Sequence, residues 1–322
     1  MTSERRLLHR VALSGAALAT VPYVVLKLMW LGGSTIGMTD AADHAEMTGT
    51  RFVVGNLITI MLMLAAVAFL LALTRPWARR VPAWLVLVLG AGATGLLAPI
   101  LLGLPIGMVI QLVLEGSVKP ADDTGLAPWV FGIVYSGFAV LAVAIAALVA
   151  SYVVDRWGHL IDRPPMRPAT LATVVGALGL LPFGAAMIWW GVLGPGTTGP
   201  QGMDQPAQRT VLIVTGALSL AAFVVPLLGE RTERWSRTAW LITWTGACVS
   251  ALQAPTQILL AQGGEVRPAL ALVALVTTPG SCGYGLTILR RHLATIAAAD
   301  RHLARGPGCA PSAGIRSGQL AP

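Results

Sequence analysis

Charge is scarce in this chain of 322 residues, and cysteine is scarcer still. Only 11% of the residues are charged, 55% are hydrophobic, and the mean hydropathy is +0.73. A soluble globular domain carries about 25% charged residues, so this composition excludes an ordinary soluble protein. The three cysteines include no Cys-x-x-Cys pair, so the sequence gives no support for disulfide-exchange chemistry.

Familiar catalytic and cofactor motifs are also missing from the sequence. It contains no glycine-rich phosphate loop, no His-Glu-x-x-His and no Gly-x-Ser-x-Gly. No histidine falls in a predicted membrane span, which argues against intramembrane haem. We therefore expect no cofactor, no metal and no catalytic residue of these kinds, and we favour a function other than catalysis.

What the sequence does contain is eight long apolar runs. A helix of about 20 apolar residues crosses the roughly 30 Å hydrocarbon core of a bilayer, and it satisfies its own backbone hydrogen bonds there. The runs are continuous rather than alternating, which excludes a β-barrel. The sequence predicts an all-α membrane protein with spans at 11–31, 52–73, 82–103, 129–153, 170–193, 210–228, 238–261 and 268–289.

The distribution of charge predicts the orientation of these spans. Most of the 22 Lys and Arg residues lie at the N-terminus, in loops 74–81, 154–169 and 229–237, or after residue 289. The opposite loops carry most of the acidic residues. We expect the protein to lie in the plasma membrane. The positive-inside bias then predicts that both termini are in the cytoplasm. The basic loops then face anionic lipid rather than nucleic acid. The apolar N-terminal run continues beyond a signal-like Ala17-Leu18-Ala19, so we expect an uncleaved first span.

The second half of the chain repeats the first. Val21-Pro22-Tyr23 with Trp30 resembles Leu181-Pro182-Phe183 with Trp190, and residues 83–99 align with 239–255 without a gap. The latter pair shares Ala83, Trp84, Leu85, Gly90, Ala91, Leu96, Ala98 and Pro99 with Ala239, Trp240, Leu241, Gly246, Ala247, Leu252, Ala254 and Pro255. Because each unit has an even number of spans, the two are predicted to be parallel repeats about an axis along the membrane normal.

The repeat divides the chain into four parts. Residues 1–155 are predicted to form the first four-helix repeat, 156–169 a cytoplasmic linker, and 170–289 the second four-helix repeat. Residues 290–322 are predicted to be a basic juxtamembrane helix followed by a disordered tail. The repeat-related Pro99 and Pro255 are expected to kink their helices, either for packing or beside a central site.

Polar residues inside the spans are few. Ser250, Gln253 and Gln257 share one helix face, which predicts either an interhelical hydrogen-bond clamp or a ligand site, and Asn56 belongs to a weaker stripe. Lys27 is the only ionisable residue well inside a span, and it either snorkels outward or binds an acidic group.

The first outer loop holds Asp40, His44 and Glu46 on a short predicted helix over 40–48. One histidine with carboxylates can hold a metal or transfer a proton, but a single histidine is poor zinc spacing. A solvated acidic loop is the better interpretation.

Three functions are compatible with these observations. The first is a small-molecule permease or exporter with a site between the repeats for a hydrophobic or anionic ligand. The second is a non-catalytic partner subunit or immunity protein, whose own protein partner is unknown. The third is a membrane enzyme acting at the outer face. The predicted ligand site comprises Lys27, Trp30, Asn56, Gln253 and Gln257, with Glu115 and Glu265 at the outer mouth.

Overall fold

The computed structural model describes residues 3–39, 49–116, 127–259 and 265–304, and the regular secondary structure in these ranges is helical. No β-strand occurs in these ranges. The α-helices are α1 Ser3–Leu31, α2 Thr50–Thr74, α3 Ala83–Glu115, α4 Pro128–Ile161, α5 Thr170–Leu193, α6 Pro206–Leu228, α7 Ser236–Leu259 and α8 Pro268–Ala304. Short 3-10 helices, Pro76–Arg80 and Gly229–Trp235, precede α3 and α7.

Seven segments of the described chain are long and apolar enough to cross a membrane. One of them, Pro206–Leu259, is 54 residues long and contains α6, the second 3-10 helix and α7. The prediction of an all-helical membrane protein is therefore confirmed in its coarse form.

Several helices extend beyond the predicted spans. α5 has the predicted limits, whereas α3 continues to Glu115, α4 to Ile161 and α8 to Ala304. The difference arises because hydropathy marks the lipid-facing part of a helix, while the helix itself ends where backbone hydrogen bonding ends. The segment 290–304 is a continuation of α8 rather than a separate helix. The predicted surface helix at 40–48 and the tail after 304 lie outside the described residues.

Proline and glycine set many helix ends. Pro128, Pro206 and Pro268 stand in the first turn of α4, α6 and α8, where a missing N–H costs nothing. Gly116 ends α3 in the left-handed conformation at φ 69°. Pro99 and Pro255 both lie inside continuous helices, and the predicted kinks there stay predictions. α4 departs from helical geometry at Trp157.

The two halves of the chain pack differently. α5, α6, α7 and α8 form a closed ring in which each helix contacts two neighbours extensively. In the first half α1 packs against α4 and, less extensively, α2, whereas α3 lies mainly against α6 and α7. If the repeats packed alike, the contact of α3 with α6 would be matched by one between α7 and α2. Among the described helices, α7 and α2 have no such extensive contact. α3 is therefore the helix that joins the halves.

Glycine permits the closest of these approaches. A Cβ on Gly95 of α3 would lie 2.5 Å from the Cys248 carbonyl oxygen of α7, and one on Gly246 would lie 2.0 Å from the Leu218 carbonyl oxygen of α6. Small residues at these positions allow the backbones to touch, which is how membrane helices associate where burial of apolar surface gives no advantage.

Candidate functional site

The first polar centre is formed where α1 and α2 face each other. Tyr23, Lys27 and Trp30 follow one another along α1 at spacings of four and three residues, and so share a face of that helix. Phe52 and Asn56 are four residues apart on α2. We call these five residues the Lys27 centre.

The ammonium group of Lys27 lies between an amide and three aromatic rings. Lys27 Nζ donates a hydrogen bond to Asn56 Oδ1 at 2.6 Å. The same nitrogen lies 5.5 Å from the ring centroid of Tyr23, 5.0 Å from that of Trp30 and 5.7 Å from that of Phe52. Aromatic faces attract a cation at distances of up to about 6 Å, so the rings partly replace the water lost by the ammonium.

No carboxylate forms an ion pair with Lys27 among the residues that the structure describes. Its ammonium is directed between two helices and is not extended along the surface of α1. Among the described residues, the rings and one neutral amide leave the positive charge of Lys27 without a counter-ion. An anion is therefore the chemistry that this centre lacks.

Asn56 also retains unused hydrogen-bonding capacity. The residue is only 2% exposed, and its Nδ2 has no hydrogen-bond partner within the described ranges. The amide orientation follows from chemistry, because Lys27 can only donate and the atom facing it must be the acceptor Oδ1. A buried donor without a partner costs about 1–3 kcal/mol. This cost makes Nδ2 a second place where an acceptor oxygen would be stabilising.

Trp30 ties the Lys27 centre to the turn after α1. Its indole Nε1 donates to the Ile36 carbonyl oxygen at 2.8 Å, and the side chain is buried. The repeat-related Trp190 behaves in the same way, donating from Nε1 to Thr198 Oγ1 at 3.1 Å in the segment after α5. The residue corresponding to Lys27 is Met187, which is 1% exposed in an apolar cluster. The position therefore does not require a charge for packing.

A second set of polar contacts connects α7 to its neighbours. Gln253 Nε2 donates to the Gly95 carbonyl oxygen of α3 at 2.9 Å. Ser250 donates to Ser219 of α6 at 2.8 Å, and Ser219 donates to the Leu180 carbonyl oxygen of α5 at 2.9 Å. Ser250 and Gln253 are both buried, as expected for a stripe facing the bundle interior. These groups form an interhelical clamp.

The prolines explain where the clamp is anchored. Pro99 has no N–H, so the carbonyl of Gly95, four residues earlier, loses its helical partner. Gln253 supplies the replacement donor. Pro255 frees the Ala251 carbonyl in the same way, and Thr278 Oγ1 of α8 donates to it at 3.1 Å. Both repeat-related prolines therefore expose a carbonyl that a neighbouring helix satisfies.

The structure brings together only part of the predicted site. Lys27, Trp30 and Asn56 lie in the Lys27 centre, whereas Gln253 belongs to the α3–α7 clamp. Gln257 lies one turn beyond Gln253 and is half-buried. No contact links these two glutamines to Lys27 within the described residues.

The two predicted outer carboxylates lie at helix ends. Glu115 ends α3 and accepts a hydrogen bond from Gln111 at 3.1 Å. Glu265 is exposed just before α8, and its backbone oxygen accepts from Gln201 at 3.3 Å. Neither is in contact with the Lys27 centre in the described part of the chain.

Sequence reasoning missed Tyr23 and Phe52 as members of the centre. Tyr23 precedes Lys27 by four residues, and Phe52 precedes Asn56 by four. That spacing places each ring on the same helix face as its polar neighbour. The four-residue spacing is the sequence signal that could have identified these two rings. It is informative only once α1 and α2 are known to pack against each other.

The linker after α4 is attached to α7 and α8 on the side opposite the Lys27 centre. Arg237 Nε donates to Asp162 Oδ1 at 2.6 Å, Trp240 Nε1 to the Arg163 carbonyl oxygen at 2.9 Å, and Arg291 Nη1 to the Arg167 carbonyl oxygen at 3.1 Å. The hydrogen bond from Arg237 lowers the pKa of Asp162 below its ordinary value. These contacts position the linker against α7 and α8.

The described ranges contain no group of three or more His, Cys, Asp or Glu residues placed to hold a metal ion. Comparisons with protein-family models, with curated proteins and with solved structures found no match to this chain. The functional argument therefore depends on the geometry of the Lys27 centre.

Proposed function

We propose that the protein is a small-molecule permease or exporter whose ligand is held by the Lys27 centre. The observation that carries this proposal is an ammonium group inside a membrane helix that is held by a neutral amide and aromatic rings, without a carboxylate among the described residues. A charge within the bilayer is costly, and such charges are retained where a ligand, ion or proton uses them.

The proposed arrangement has eight membrane crossings with both termini in the cytoplasm of the cell. The segment Pro206–Leu259 has 54 residues, about 81 Å of helix at 1.5 Å per residue, far longer than one crossing of about 30 Å. Its midpoint is the 3-10 helix Gly229–Trp235, which carries Glu230, Arg231, Glu233 and Arg234. Charge of that density belongs at the membrane surface, so we count two crossings there. The positive-inside bias of the loops supports the cytoplasmic termini.

The proposal includes two parallel four-helix repeats. Three similarities support it: the indole hydrogen bonds of Trp30 and Trp190 to the segments that follow their helices, the paired proline carbonyls, and the 3-10 helices that precede α3 and α7. The unequal packing of α3 and α7 means that the halves do not have the same neighbours. The Lys27 centre lies between α1 and α2 of the first repeat, so the proposed ligand site is inside that repeat and not between the two.

The topology is tested by side-specific labelling of single cysteines. A cysteine in the loop 194–205 should react with an impermeant maleimide added outside intact cells. A cysteine at Glu230 should react only after permeabilisation. Labelling at Glu230 from outside would disprove the eight-crossing arrangement.

Transport is tested with the purified full chain reconstituted in liposomes. A panel of labelled organic anions is assayed for flux. The wild-type protein should carry at least one of them faster than empty liposomes do, and Lys27→Met should abolish that flux. Methionine is the residue at the repeat-related position 187, so this substitution is compatible with helix packing. Thr278→Val, which alters a polar contact between α7 and α8, is the matched control and should retain flux.

A non-catalytic partner subunit is the second candidate, and one observation favours it. The most polar stripe of the second half, Ser250 and Gln253, uses its hydrogen bonds to join helices. A protein whose polar groups only hold helices together needs no ligand. In that case Lys27→Met would leave every activity of the protein unchanged.

A further inference from the structure

The Lys27 centre combines two unlike parts, a small donor site and an apolar wall, and most of both is buried. The donor site consists of two groups. Lys27 Nζ has three protons and donates one to Asn56 Oδ1, and Nδ2 of the same amide has no hydrogen-bond partner among the described residues. The wall consists of the rings of Tyr23, Trp30 and Phe52. Any ligand that satisfies both parts must have an anionic end and an apolar body.

We propose that the ligand is an amphipathic monocarboxylate, an inference that rests on the proposed function. One carboxylate oxygen accepts from Lys27 Nζ, and the other accepts from Asn56 Nδ2. The apolar chain lies against the three rings. Charge-assisted hydrogen bonds of this kind are about twice as strong as neutral ones.

The charge of the site selects against other ligand classes. The described centre contains one cation and no second one, so a single negative charge neutralises it and a dianion leaves charge uncompensated in an apolar environment. A cationic ligand is repelled by Lys27. A neutral alcohol covers the apolar wall but leaves the positive charge of Lys27 without a counter-ion.

The packing also indicates where the ligand enters. Asn56, Tyr23 and Trp30 are all buried, so a ligand reaches Nδ2 and the rings only if α1 and α2 separate. α1 packs much less extensively against α2 than against α4. The boundary between α1 and α2 is therefore the weaker side of α1, and it opens directly onto the Lys27 centre.

The test is equilibrium dialysis of the full-length protein in a neutral detergent with four probes that share one chain length. Octanoate carries the proposed carboxylate, octanol is its neutral analogue, octylammonium is its cationic analogue, and octyl phosphate represents a lipid headgroup. The proposal expects octanoate to bind at least about tenfold more tightly than octanol or octylammonium. Equal binding of octanol or octylammonium would overturn it, and tighter binding of octyl phosphate would assign the site to a phosphate headgroup instead.

Asn56→Asp separates a ligand role from a structural role. The new carboxylate keeps the bond to Lys27 and therefore the α1–α2 contact, but it neutralises the ammonium and repels a second carboxylate. Octanoate affinity should fall at least about tenfold in this variant and in Lys27→Met. The affinity for octanoate should be unchanged in Thr278→Val. Wild-type affinity in a folded Asn56→Asp protein would reject the assignment, and the probe series on the wild type decides the question if that variant does not fold.

Binding and flux distinguish the two proposals. Octanoate binding that depends on Lys27, without flux of any solute, would support the ligand class and reject the permease. Flux of another solute that depends on Lys27, without octanoate binding, would support the permease and reject the monocarboxylate.

Discussion

Replacing Gly246 by alanine tests whether backbone contact between α6 and α7 stabilises the second half. The repeat provides a matched control, because Gly90 is the equivalent position in α3. A Cβ at Gly246 would lie 2.0 Å from the Leu218 carbonyl oxygen and 2.6 Å from Ala222 Cβ. A Cβ at Gly90 would meet only Val149 Cγ1, at 4.0 Å.

The two substitutions are expected to change the unfolding free energy in opposite directions. Non-bonded heavy atoms prefer about 3.5–4.0 Å, so α6 and α7 must move apart by more than about 1 Å to admit the new methyl group at position 246. Overpacking of this kind costs about 1–3 kcal/mol, and a contact with rigid backbone belongs at the upper end. Alanine regains about 1 kcal/mol through its helix propensity. Gly246→Ala should therefore lose about 2 kcal/mol of unfolding free energy, while Gly90→Ala should gain about 0.5–1 kcal/mol.

The assay is thermal unfolding of both variants and the wild type in the same detergent. A change of 1 kcal/mol shifts the Tm of a large domain by about 2–4 °C, so Gly246→Ala should melt on the order of 4–8 °C below the wild type. Gly90→Ala should melt at the wild-type temperature or slightly above it. Equal shifts for the two variants, or no shift for Gly246→Ala, would refute the close packing of α6 and α7.

Two further predictions concern polar contacts. Gln253→Leu should lower the unfolding free energy by about 0.5–1.5 kcal/mol, because the carbonyl of Gly95 loses the donor that replaces the missing proline N–H. Gln257→Leu, which removes a half-buried amide without a hydrogen bond in the described residues, should change Tm less, and the reverse order would contradict the clamp. The lowered pKa of Asp162 means that its bond to Arg237 stabilises the fold above the ordinary carboxyl pKa, and that this is lost as the pH falls through the lowered value. Because both side chains are more than half exposed, Asp162→Asn should barely move Tm at pH 7, and a large loss there would show that the pair is stronger than its exposure allows.

The helices were predictable from hydropathy because lipid admits few alternatives to a helix. The limits of α5 follow from an apolar run that ends at Leu193, before Gly194, although Pro182 lies inside it. The length of α3 was not predictable, because Pro105 and the glycines around it are ordinary helix breakers in water. In the structure Gly103 and Gly107 lie against Val211 and Ala207 of α6, so packing favours their continued helical conformation.

The site was harder to predict than the fold. The sequence identified Lys27 and Asn56 as unusual, but the partnership of α1 with α2 decides that they meet. Gln253 is predicted to share that site because strongly polar residues are scarce at that depth of the membrane. Its actual partner is a carbonyl that Pro99 frees on another helix. Intramembrane polarity thus indicates that a residue has a partner, and only the packing of the helices identifies it.

The central claim is that the Lys27 centre lies on a path across the membrane, and side-specific labelling at its inner edge tests it most directly. Thr59 lies one turn beyond Asn56 on α2, and its hydroxyl donates to the Asn56 carbonyl oxygen at 3.0 Å. In a chain with Cys248, Cys282 and Cys309 replaced by serine, Thr59→Cys should react with an impermeant maleimide from outside in intact cells and from inside in inverted vesicles. Thr74→Cys, at the other end of α2, should react from inside only. Reaction of Thr59→Cys from one side alone, or from neither, would contradict a transport pathway through this centre.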